Sequence, residues 1–267
     1  MSNDSKNNSL KNPSDIQEME DTRNVYIDFA GIKEFRIPIK IWVSDERFQD
    51  SVAIVDAYTS LKATKRGVHL SKIIHAIKKI SEVKINYEHF SAILSELARI
   101  DNSNNVSIII KFAYFKEKTS PVSSEKMLLD YDCTLIGKVL KGHQEISLQV
   151  KTPIMTLCPD SKELTGCAAH NQRATAIITA TGDIWIDDLI NVAEKSGSSE
   201  IYQILRKADD KYVMENAYNN PKFAEDFVRD AILRLREDKR IIKAKVEIES
   251  YESNHNYNAY ATAKYNL

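Results

Sequence analysis

Apolar positions along this chain fall into two periods, and the periods alternate. Ile37, Ile39, Ile41 and Val43 take every second position within 32–43, and Val52 and Ile54 do so within 51–61. A period of two predicts a half-buried strand in each run, joined by a polar turn at 44–50. The period then changes. Ile73, Ile74, Ile77 and Ile80 recur at helical spacing over 72–81, with Ser71 as a candidate cap, and Phe90, Ile93, Leu94 and Leu97 do so over 88–100. Strands return over 105–116 and 126–140. The order strand, strand, helix, helix, strand, strand is then repeated. Strands are expected at 145–157 and 172–181, then a helix at 184–196 bearing Ile186, Leu189, Ile190 and Ala193. A short helix at 200–206 and a long one at 221–236 follow. In the long helix Pro221 suits the first position, and Phe223, Phe227, Val228, Ala231, Ile232 and Leu235 form a stripe. Strands at 241–250 and 258–265 close the chain. Antiparallel strand pairs flanking helices, twice over, predict an α+β protein of two ββααββ modules, 24–142 and 143–267. Residues 1–23 are rich in Asn, Ser, Asp and Lys and predict a disordered tail.

Composition narrows the partners. With 43% hydrophobic and 28% charged residues in a chain of 267, a substantial core is available. The net charge of −1 gives no broad basic field, which argues against nucleic acid as a partner. No apolar run is long enough for a bilayer, and the N-terminus lacks a signal pattern. Three cysteines, an odd count, suit a reducing compartment, so the cytoplasm is expected.

The chemistry concentrates in 158–173, CPDSKELTGCAAHNQR, between two strands. A thiolate and an imidazole suit zinc, iron or copper better than magnesium, so Cys158 and His170 are candidate ligands. Their spacing is also that of a buried structural cysteine and a hydrogen-bonded histidine. Elsewhere, the mixed-charge run 207–218 reads as a solvated surface, and Glu225 and Arg229 read as an ion pair one helical turn apart. Glu252 beside His255 forms a carboxylate–imidazole pair suited to proton transfer, or a polar strand end.

These segments resemble the GTP cyclohydrolase IB family, prokaryotic enzymes that begin folate synthesis. The family's SLCPCSKEIS and GAHNQR compare with TLCPDSKEL and AAHNQR here. Its KGTHMSR compares with 65–72, its LLDYD with 128–132, its KRPDEKYVTEKAY with the run ending at Tyr218, its NPKFVEDMVRD with 220–230, and its ENFESIHNHSAYA with 249–261. The resemblance covers nearly all of the chain beyond the tail. It implies a tunnelling fold with helices on the outer face of the sheet, a homotetramer with sites at subunit interfaces, and a divalent metal (Mn, Fe or Zn). It implies conversion of GTP and water to 7,8-dihydroneopterin triphosphate and formate.

Residue by residue, it implies Cys158, His170 and Asp210 as metal ligands and Glu225 as the grip on the purine. It further implies Cys158, His255 and Glu252 as catalytic groups. A triphosphate needs converging cations, for which Lys65, Lys72, Lys118 and Arg173 are candidates. Three positions depart from the family: Asp160 replaces the second cysteine of CPC, Asp210 a glutamate, and Tyr257 a histidine. A paralogue opening a related purine nucleotide, or a non-catalytic binding protein keeping the shell of the site, would carry the same motifs.

Overall fold

The computed structural model describes residues 16–43, 47–100, 103 and 105–266. One sheet runs through the protein, antiparallel except where a single two-residue strand joins its neighbour in parallel. Its long strands are β1 (Ile27–Trp42), β2 (Phe48–Leu61), β4 (Asn105–Thr119), β5 (Lys126–Leu140), β6 (His143–Leu157), β7 (Asn171–Gly182), β9 (Ile241–Ser250) and β10 (Ala259–Asn266). Two-residue strands β3 (Lys84–Ile85) and β8 (Ser199–Glu200) attach to β1 and β6. The spatial order is β10-β9-β7-β6-β5-β4-β2-β1-β3. β5 and β6 pair across the expected module boundary, joined by a tight turn in which Lys141 and Gly142 both take positive φ, 49° and 84°. Two such residues match the strand twist of a two-residue hairpin.

Among the described residues six α-helices accompany the sheet: α1 (Leu70–Lys78), α2 (Tyr87–Arg99), α3 (Pro159–Thr165), α4 (Ile186–Ser196), α5 (Lys207–Asn219) and α6 (Ala224–Glu237). Alternation along each strand sends one set of side chains under the helices. On β5, Leu129, Tyr131, Cys133, Leu135 and Val139 are buried, while Asp130, Asp132 and Lys138 between them are exposed. Phe90 and Leu94 of α2, Leu189 and Ile190 of α4, and Phe227 and Leu235 of α6 join one continuous core. The opposite face of the sheet carries no helix among the described residues and displays Val52 and Leu128.

Several expectations need correction. Residues 1–15 and 44–46 lie outside the described residues, so the tail and turn are described only in part. Within the expected tail, 16–23 are tied to the segment after β2 by a Glu20–Lys65 bridge and by Arg66 N–H to the Met19 carbonyl at 3.1 Å. Backbone pairing stabilises a stretch that has few apolar groups of its own. α1 begins after His69, not Ser71, and Ile74 is exposed. The expected helix at 200–206 is β8 plus irregular chain. The charged run after it is the helix α5, and within the segment between the two strands 159–165 is a short helix.

Three helices of the second half start on a shared device. Asp188, Asp209 and Asp226, each at the third helical position, accept the N–H of Trp185, Arg206 and Phe223 respectively. This cap satisfies an otherwise orphan donor, so α6 opens at Ala224 and Pro221 lies outside it. Among the described residues no helix is long and apolar enough to cross a membrane.

Candidate active site

The ends of β6, β7 and β9 and the start of β10 meet at one corner of the sheet. The Cys158 N–H donates to the His170 carbonyl at 3.1 Å, which closes the 158–170 segment on itself. Ser161 locks it further. Its N–H points at the Cys158 sulfur (3.4 Å), its hydroxyl donates to the Cys158 carbonyl (3.2 Å), and the His170 N–H donates to that hydroxyl oxygen (3.3 Å). The chain before α6 is drawn in by the Lys222 N–H on the Leu157 carbonyl, 2.9 Å. Tyr251 N–H donates to the Arg173 carbonyl at 3.1 Å and anchors the turn that carries Glu252, His255 and Tyr257.

The result is a cavity of about 240 Å³ lined by Cys158, His170, Glu225, Glu252, His255 and Tyr257, among others. His170 and Glu252 are mostly buried, with a His170 Nδ1 to Glu252 Oε2 distance of 3.9 Å. The His255 ring is exposed, stacks on Tyr257 (centroids 4.8 Å, planes 15° apart) and stands edge-on to His170 at 6.4 Å. Glu225 is in the first turn of α6. Arg229 pairs with Asp226 at 2.8 Å rather than with Glu225, leaving Glu225 without an ion pair among the described residues. Beneath the cavity Thr156, Gln172 and Ser250 form a buried polar floor. A larger cavity of about 420 Å³ lies on the helix-free face, among Lys138, Lys243, Lys245 and Lys264. Its lining has no thiol or imidazole, so the chemistry points to the smaller one.

Not every sequence candidate reaches this corner. Asp210 is exposed in the first turn of α5. The neighbouring Asp209 takes the inward position, accepting the N–H groups of Val122 (2.8 Å), Ser123 (2.7 Å) and Arg206 (2.8 Å). Successive helical side chains diverge by about 100°, so anchoring Asp209 turns Asp210 away. Burial opposes the Asp209 charge, but hydrogen bonds from Ser123, Arg206 and Val122 outweigh it and hold the carboxyl below the usual range. Asp210 shares its helix face with Met214, whose sulfur lies 3.9 Å from Asn171 Nδ2, and with Tyr218, whose carbonyl accepts from Lys162 at 2.6 Å. Among the described residues no three His, Cys, Asp or Glu side chains converge closely enough to hold a metal, so the trio of Cys158, His170 and Asp210 is not assembled here.

Lys118 is buried, with its ammonium 2.7 Å from both Glu194 and Glu200 and 4.6 Å from the Tyr202 ring centre. It is an internal ion, not a cavity cation. Arg173 follows Gln172 on β7, and alternation sends it to the exposed, helix-free face. Lys65 and Lys72 belong to the segment beside β1 and β2, at the far end of the sheet.

Sequence reading missed Thr156, Gln172 and Ser250. Each is polar at a position in phase with the buried residues of its strand (Ile154, Ala174 and Ile248), and that breach of alternation marked the site.

The fold has solved relatives. Uricase from Arthrobacter globiformis superposes with a TM-score of 0.53 at 9% identity, covering 90% of this chain and 93% of that one. A thermostable mutant of that uricase gives the same score, covering 92% of its own chain. At this identity the likeness concerns the fold alone. Sequence relatives are much nearer. GTP cyclohydrolase FolE2 of Nitrosospira multiformis is 41% identical over 250 residues, 93% of this chain and 94% of the relative. The protein of that name from Methylobacillus flagellatus is 39% identical over 249 residues, covering 92% and 93%. That from Fervidobacterium nodosum is 38% identical over 249 residues, covering 92% and 95%. The sequence model of the family described as type I GTP cyclohydrolase folE2 matches residues 14–261, and across that span the chain belongs to this family.

Proposed function

We propose that the chain is a GTP cyclohydrolase of type IB, built of two tunnelling-fold modules of ββααββ order with the boundary at Gly142. It converts GTP and water to 7,8-dihydroneopterin triphosphate and formate, the first step of folate synthesis. The observation that carries this reading is the convergence of Cys158, His170, Glu225 and the Glu252–His255 turn, four stretches of chain, on one cavity.

Each group has a role fitted to its place. Glu225, without an ion pair among the described residues, accepts two parallel hydrogen bonds from the guanine N–H and exocyclic amine. His255, with Glu252 lining the same cavity, moves protons as the imidazole ring of the purine opens. The stacked Tyr257 ring steadies His255 in the orientation for this work.

The donors suit a borderline divalent metal. Cys158 offers sulfur, and His170 has Nδ1 held 2.9 Å from Gln172 Oε1, leaving Nε2 for a ligand bond. Glu252 lies on the Nδ1 side of the ring; the proposed third donor is Asp210, exposed in the first turn of α5 in this structure, which completes the set only when its side chain swings toward Cys158 and His170. Bound there, manganese, iron or zinc would supply an acidified water and polarise the purine.

The exposed sheet face, displaying Val52 and Leu128, supports a homotetramer; the same reading places the enzyme in the cytoplasm. In that assembly Lys65 and Lys72 reach the triphosphate of a neighbouring subunit, and Arg173 faces the shared interior. The test is metal analysis of the purified protein, then incubation with GTP and detection of a fluorescent oxidised pterin. Metal content near one per chain and pterin formation are expected. GTP left intact with metal bound would overturn the assignment.

A further inference from the structure

We propose that Gln172 is the positioning residue of this site: its side-chain amide holds His170 as the Nδ1–H tautomer, turning the Nε2 lone pair to the cavity, and holds Glu252 beside it. The argument starts at the carboxylate. Three oxygens face the Gln172 Nε2 position: Thr156 Oγ1 at 3.1 Å, Ser250 Oγ at 3.3 Å and Glu252 Oε1 at 3.3 Å. Glu252 Oε1 already accepts the Ser250 hydroxyl, and three oxygens clustered about one amide atom need a donor there, so the NH₂ end of the amide faces them. The carbonyl end is thereby turned to His170 Nδ1, 2.9 Å away. A carbonyl also only accepts, so Nδ1 carries the hydrogen and Nε2 does not.

The hydroxyls agree with that arrangement. Ser250 donates to Glu252 Oε1 at 2.9 Å, so across its 2.9 Å contact with Thr156 the threonine is the donor. Both hydroxyl oxygens then have lone pairs to receive the amide NH₂. The reversed amide would set a carbonyl against a carboxylate and leave Nε2–H pointing at the cavity. Gln172 is 8% exposed, and Thr156 and Ser250 are each 1% exposed, so water replaces a lost partner poorly and the arrangement is held firmly. One amide thus couples the 170 segment to the 252 turn, two pieces of chain 80 residues apart.

The tautomer follows from this geometry alone. Its consequence for a metal, a ready Nε2 ligand, rests on the function proposed above. The test uses full-length, metal-free protein with ¹⁵N-labelled histidine, the imidazoles neutral, and the His170 signals assigned by their loss in His170→Gln. Two-bond ¹H–¹⁵N correlations report which ring nitrogen is protonated. Nδ1–H is expected for His170 in the unaltered protein. In Gln172→Leu the preference should be lost, and zinc affinity should fall about ten- to a hundred-fold. His170 as the Nε2–H form in the unaltered protein overturns the proposal, and that measurement stands even when Gln172→Leu does not fold. An unchanged tautomer in a folded Gln172→Leu also overturns it. If the unaltered protein shows Nδ1–H yet binds no zinc, the metal reading fails and the role of Gln172 stands.

Discussion

Replacing Lys118 by methionine separates two roles that one residue cannot easily combine. As a triphosphate ligand it would leave stability alone and raise KM. The structure instead buries its ammonium between Glu194 and Glu200, each 2.7 Å away, with the Tyr131 hydroxyl donating to the same Glu194 oxygen at 3.0 Å. Methionine keeps the length and apolar stem but removes the charge. Glu194, itself buried, is left with one neutral donor. Glu200 is 38% exposed and can recruit water, so the cost falls mainly on Glu194. Breaking a buried ion pair by removing one partner costs about 3–5 kcal/mol. At roughly 2–4 °C per kcal/mol for a chain of this size, Tm should fall by ~6–20 °C. Replacing the pair together, Lys118→Met with Glu194→Leu, removes the stranded charge and should restore most of the loss. Calorimetry on the three variants, with GTP kinetics below the transition, reads both effects. An unchanged Tm with raised KM would refute the structural role and return Lys118 to the substrate.

Cys158→Ala should abolish turnover and most metal binding, whereas Cys133→Ala, in the buried face of β5, should keep both while losing some stability; metal analysis and a pterin assay on each decide this. Glu225→Gln keeps the shape but loses the charge and one acceptor of the purine grip, so kcat/KM for GTP should fall about ten- to a hundred-fold with metal content unchanged. Equal kinetics would place the grip elsewhere. Stability should drop steeply on the alkaline side. Burial pushes the Tyr131, Tyr114 and Tyr202 phenols and the Cys133 thiol up, so each stays protonated in the fold at a pH where the unfolded chain has ionised. Because the folded values are raised, this stabilisation is complete below the unfolded values, about 8.5 for the thiol and about 10 for the phenols, and is lost as pH rises beyond them. Denaturant midpoints from about pH 8 to 11 should decline, and a flat profile would contradict the burial of these groups.

The sequence by itself determined the elements whose period is long and unbroken. Strands β4 to β7 and β9, and helices α2, α4 and α6, have one apolar face each, and burying that face admits few arrangements. It also carried the motif residues that meet in the cavity, Cys158, His170, Glu225, Glu252 and His255, because chemistry is written in residue type. What it left open depended on partners distant in the chain. α5 has a mixed-charge surface and little apolar stripe, and its start is set by Asp209 binding the backbone of Val122 and Ser123, more than 80 residues earlier. Lys118 reads as any surface lysine until Glu194 and Glu200 close on it. Asp210 matches a motif, yet the side chain that turns inward is its neighbour, since one residue along a helix is a rotation of about 100°. Thr156, Gln172 and Ser250 were visible as polar breaks in apolar phases, but only the pairing of β6, β7 and β9 puts them within hydrogen-bond reach of one another and of Glu252. Local periodicity is fixed by the chain's own stereochemistry, whereas a polar or charged group takes its role from whichever distant donor or acceptor the fold sets against it.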